Sequence, residues 1–133
     1  MANKVVKETF GAPEKHILIA NNSYLMTLGA QVTNTGVDAD ADGRKILRAG
    51  TPLAGDITKR GTAFVKATTT EGVSNATAVL LHDVDVTAGA ENGTIILAGC
   101  VDLLKLDTAT QELITSAVVS ALPRIIFVEG SAI

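Results

Sequence analysis

Apolar residues fall in short runs broken by Gly, Thr, Asn and Asp. That is the pattern of strands joined by turns. The strictest alternation, His82-Asp83-Val84-Asp85-Val86, continues the solid run Ala78-Val79-Leu80-Leu81. A strand buried on both faces that emerges into half-burial reads this way, so one strand is expected over 78–86. Residues 88–93 are the expected turn, with Asn92-Gly93 as its hairpin signal, and 94–101 the return strand. Shorter strands are expected at 16–20, 24–28, 45–48, 63–67 and 124–128. Segments 32–43, 49–55 and 68–75 read as a loop, a turn-rich link and a polar loop. One helix is expected over 111–122, where Leu113, Ile114, Ala117, Val118, Ala121 and Leu122 share a stripe. Thr108 with Gln111 suits a capping box, and Pro123 stops the helix.

The leading residues differ. Val5-Val6-Lys7-Glu8-Thr9-Phe10 has strand composition but is cut off by Gly11-Ala12-Pro13. A lone short strand is not stable in water and needs a sheet to join. The expected organisation is an extended N-terminal arm over 1–15 and one domain over 16–133. The expected fold is mainly β (α+β): a compact β-sandwich or barrel-like domain with one packed helix.

At 133 residues there is room for one domain with its own core. With three Phe, one Tyr and no Trp, that core must be built from Val, Ile, Leu and Ala. Scarce aromatics argue against an aromatic sugar cleft or a base-stacking platform. A net charge of -3 leaves no basic excess for a phosphate backbone, so no nucleic-acid partner is expected. Residues 17–20 are too short for a signal-peptide core, and Asn21-Asn22-Ser23 interrupts them. No window approaches the roughly 18 uncharged apolar residues of a membrane span. The chain is expected to be soluble and to bind no membrane.

Candidate chemistry is sparse. The single cysteine, Cys100, excludes an internal disulfide or a multi-Cys zinc site, and in its apolar run it reads as a small buried hydrophobe. Asp38, Asp40 and Asp42 with Gly43 copy the opening of a calcium loop. The twelfth position is Ala49 rather than a bidentate Glu, and Arg44 and Lys45 add positive charge. A solvated acidic loop is the plainer reading, so no metal is expected. The span from Gly50 to Gly55 has phosphate-loop spacing, but Asp56 stands in place of the Lys and would repel phosphate. Strand alternation puts Asp83 and Asp85 on one face and His82 on the other, which disperses an acid–base pair. His16 has no evident partner. Lys59-Arg60 reads as a solubilising or rim-contact spot. No catalytic residue and no cofactor are expected.

Four segments carry a family likeness: Gly50-Thr51-Pro52-Leu53, Gly61-Thr62-Ala63, the run from Ala78 to Val86, and Gly99-Cys100-Val101-Asp102-Leu103. Their order resembles the small head-fibre or head decoration proteins of tailed phages and prophages of Gram-positive bacteria. More remotely it resembles the lambda-type head decoration protein. Lys7-Glu8-Thr9-Phe10 is similar to that protein's arm. The resemblance implies a non-enzymatic homotrimer on the outer surface of the virion capsid, made in the bacterial host cytoplasm, with the major capsid protein as partner. It implies that the arm adds a strand to a coat-protein sheet, so Lys4, Val5, Val6, Lys7, Glu8, Thr9 and Phe10 are the expected capsid-contacting residues. Two alternatives stay open: a calcium-dependent carbohydrate- or surface-binding β module using Asp38, Asp40 and Asp42, and a small hydrolase using His82 with a carboxylate.

Overall fold

The computed structural model of the chain describes residues 17–19, 24–59 and 61–129. The expected arm over 1–15, His16 and Arg60 lie outside them. Ten strands are described: β1 Met26–Val32, β2 Ile46–Leu47, β3 Pro52–Ala54, β4 Val65–Lys66, β5 Thr69–Thr70, β6 Val73–Ser74, β7 Ala78–Leu80, β8 Val84–Asp85, β9 Glu91–Asp102 and β10 Ile125–Val128. A 3-10 turn (Leu103–Lys105) and two short helices, α1 Thr108–Gln111 and α2 Ser116–Ala121, stand between the last two. The domain is mainly β.

The main sheet runs β1-β9-β7-β3-β4, all antiparallel, and β10 joins β9 in parallel. The path then closes on itself. Phe64, one residue before β4, bridges Val32 at the end of β1. Phe64 N donates to Gln31 O at 2.8 Å, and Thr33 N donates to Phe64 O at 3.0 Å. Closure makes the sheet barrel-like and removes the edge that a free β4 would expose.

Closure also explains the solid apolar runs. Ala78, Leu80 and Ile95 pack into one core cluster around Phe64. Val79 and Ile96 pack into a second cluster with Val118 and Leu122 of the helical segment. Successive strand residues point to opposite faces, and here both faces are covered. Burying each of the Val, Leu, Ile and Phe side chains among them contributes about 1.5–3 kcal/mol.

Several expectations are corrected. Asn92-Gly93 is not a turn: it lies inside β9, with Asn92 opposite Gln31 and Gly93 opposite Ala30. A Cβ on Gly93 would stand 3.2 Å from Val84 Cγ2, so close packing favours the small residue there. The chain reverses earlier, around Gly89, whose φ is 127°. The strand expected over 78–86 is two strands in different sheets, because β8 leaves to pair with β2. Its return partner holds: Val79 and Leu80 face Ile96 and Ile95. The link over 49–55 contains β3, whose three residues are all buried. Val32 ends a strand rather than opening a loop. The polar stretch 68–75 folds as the β5–β6 hairpin.

The single helix over 111–122 is broken in two. Thr115 Oγ1 accepts a hydrogen bond from Val118 N at 3.4 Å and so starts α2 afresh. Thr caps helices because its hydroxyl competes for backbone N–H groups. The Thr108–Gln111 box does not form, since the Gln111 side-chain amide donates to Leu106 O at 3.0 Å. The final strand is found as expected, at Ile125–Val128.

Candidate functional site

The residues expected to meet the capsid, Lys4 to Phe10, lie outside the described residues. Residues 17–19, the first described, are paired with β9. Leu18 bridges Val101 in antiparallel sense. Asp102 N donates to Ile17 O at 2.8 Å, and Ile19 N donates to Cys100 O at 3.4 Å. Lys105 Nζ adds a bond to Leu18 O at 3.2 Å. Ile17 is fully buried in the second core cluster. β10 pairs with these same residues of β9, so β10 and residues 17–19 flank β9 on opposite edges. Sequence reasoning expected a strand at 16–20 but not its anchorage by Lys105, which lies 87 residues away.

Asp83, Asp85, Asp56 and Arg48 are spent on local structure. Asp83 Oδ1 accepts from Ala49 N at 2.7 Å, while its Oδ2 lies 3.2 Å from Arg48 Nη1. Arg48 also reaches Asp107 at 3.7 Å. Asp85 turns to its own loop, accepting from Thr87 Oγ1 at 2.6 Å and Thr87 N at 3.0 Å. Those two bonds, the hydroxyl first, hold its carboxyl below the ordinary range. Asp56 is held low in the same way by the Thr58 hydroxyl and then its N–H. His82 lies between β7 and β8, in neither strand. The alternation expected over 82–86 therefore does not describe it.

The acidic loop folds around Asp40. Its carboxylate accepts from Arg44 N at 3.0 Å and Asp42 N at 2.9 Å, with Arg44 Nε 4.0 Å away. The Arg44 N–H leads the effects that lower the Asp40 pKa. Asp38 and Asp42 are exposed. Among the described residues, no three His, Cys, Asp or Glu side chains converge as a metal cluster. Cys100 is half-buried rather than buried. No helix of the described residues is long and apolar enough to cross a membrane.

Surface features that sequence reasoning did not find are apolar. Tyr24, Leu25 and Met26 stand exposed where the chain enters β1, Tyr24 at 86%. The β5–β6 hairpin carries Val73, 70% exposed, beside a tip made by Glu71 and Gly72. A groove of about 200 Å³ lies near the base of that hairpin. Ile57, Leu97, Ala121 and Leu122 line it, and Arg124 is its one charged residue.

No protein-family model matches the chain, and no curated protein matches it.

Proposed function

We propose that the protein is a non-enzymatic capsid decoration protein. In this reading it binds the outer surface of an expanded tailed-phage head as a homotrimer. Its arm, Lys4 to Phe10, adds a strand to the major capsid protein. It takes no cofactor and binds neither nucleic acid nor membrane. It is made in the bacterial host cytoplasm and ends on the virion.

The observation that carries the reading is the anchored root at Ile17–Ile19. Backbone bonds to β9, the Lys105 contact and the buried Ile17 side chain tie the base of the arm to the barrel. An arm held this way transmits its attachment to the whole domain. Strand addition draws affinity from main-chain hydrogen bonds and tolerates modest side chains such as Val5, Val6 and Thr9. Linking three arms makes each later attachment effectively intramolecular. A partner that binds only the assembled shell stabilises that shell by mass action.

The test compares expanded capsids with unexpanded precursors, using purified protein and quantifying bound copies. Binding to expanded shells alone is expected. Deleting residues 1–10 should abolish binding and leave the circular dichroism spectrum and melting midpoint of the domain in place. Undiminished binding after the deletion would falsify the arm assignment.

A further inference from the structure

We infer that the β5–β6 hairpin is a self-association element, whose tip docks in the Arg124 groove of a second copy of this chain. The inference rests on the reading above for its expectation of a homo-oligomer, and it names the contact that joins the copies.

The first observation is the backbone at the tip. Glu71 and Gly72 are the two central residues of the hairpin turn, with φ of 53° and 78°. Two-residue turns with both φ values positive favour Asn, Asp or Gly first, because side chains clash in the left-handed region. Glu71 is the one non-glycine at positive φ among the described residues. Among the described residues its carboxylate has no hydrogen-bond or ion-pair partner that would stabilise the turn. A residue that suits its own turn poorly points outward for its use.

The second observation is Val73, two residues on. It opposes Thr70 across the hairpin and leaves 70% of its surface in water. Its neighbour on the same strand, Ser74, is buried. The tip therefore carries one carboxylate and one exposed branched apolar side chain two residues apart.

The third observation is a receptor with the matching pair of properties. The groove has apolar walls from Ile57, Leu97, Ala121 and Leu122, and Arg124 at its rim. Arg124 is exposed and makes no ion pair with the described residues. Its backbone carbonyl is occupied by Gly99 N at 3.2 Å, so the residue is fixed in place while its guanidinium stays available. Carboxylate meets guanidinium, and Val73 meets the apolar wall. Such a charge pair fixes orientation, and the covered apolar surface supplies affinity. Every copy carries both tip and groove, so the contact is heterologous and repeats from copy to copy, and in the homotrimer of the reading above it closes as a three-membered ring.

Sedimentation equilibrium of the free protein over the micromolar range tests this without any capsid. Its outcome is therefore independent of whether shells are bound. Wild type should self-associate. Glu71→Arg and Arg124→Glu should each weaken association about tenfold or more, and the double reversal should recover most of the loss. Glu71→Asn guards against misfolding as an explanation: it should raise the melting midpoint while weakening association. A wild type monomeric throughout the range, single reversals without effect, or a double reversal no better than the singles overturns the inference.

Discussion

Three residues show how much one position decides. Gly55 faces the ring of Phe64: a Cβ there would sit 2.6 Å from Phe64 Cδ2, and Phe64 is fully buried. The ring cannot retreat, so Gly55→Ala should cost about 1–3 kcal/mol in urea unfolding. Gly50 combines a φ of 95° with the side chain of Leu106 lying where a Cβ would go, so the same replacement there adds backbone strain to a clash. Asp85 offers a pH handle. The Thr87 hydroxyl and N–H depress its folded pKa below the ordinary value of 3.8. A group depressed in the folded state contributes stability above its unfolded pKa, and loses it as pH falls through the folded one. Asp40 and Asp56 behave alike. The melting midpoint should hold above about pH 5 and fall below about pH 4. In Thr87→Val, the NMR titration of Asp85 should move up toward the ordinary value.

At the scale of elements, β9 is the organiser. Its first part lies between β1 and β7, and its last part between residues 17–19 and β10. Ile95 and Ile96 are both fully buried, one in each core cluster. Ile95→Ala and Ile96→Ala should therefore each cost about 2–5 kcal/mol by chemical denaturation. In a strand with one solvated face, one of the two would be nearly neutral. Much of this was legible. The solid run at 78–81 told of double burial, residues 94–101 read as its return strand, and the final strand at Ile125–Val128 was plain from Ile-Ile-Phe-Val after Pro123. Illegible features have physical reasons. Asn92-Gly93 carries a turn signal, yet Gly93 is small because Val84 and Leu80 crowd it. The β5–β6 turn is built on Glu-Gly, which lacks the usual turn chemistry. The helical stripe over 111–122 was true in its apolar positions, but one hydroxyl at Thr115 was enough to break it. The expected arm, strand-like in composition and cut off by Gly11-Ala12-Pro13, lies outside the described residues; what the structure adds is the pairing of residues 17–19. Their anchorage depends on Lys105 and β9, which no local pattern reveals.

For the whole molecule, the closed barrel and the layer of helices on its outer wall share no core residue, yet they share β9. Phe64 belongs to the barrel core, and its backbone makes the closure with Val32. Phe64→Ala should cost about 3–5 kcal/mol and broaden the unfolding transition as the seam loosens. Ile17 sits in the other cluster. A chain beginning at residue 20 should be destabilised relative to one beginning at residue 16, by about 2–5 kcal/mol in the same denaturation assay.

The parallel pairing of β10 with Gly99–Asp102 has a consequence for synthesis. Every strand of the barrel has left the ribosome once Asp102 has emerged. The second cluster must wait for Val118, Leu122 and Ile125. A nascent chain paused before Ile125 would display Ile96, Val101 and Val79 as a naked flank, open to chaperones or to another nascent copy. Residues 103–128 thus act as a wrapper that can close over the second cluster only after every barrel strand has emerged.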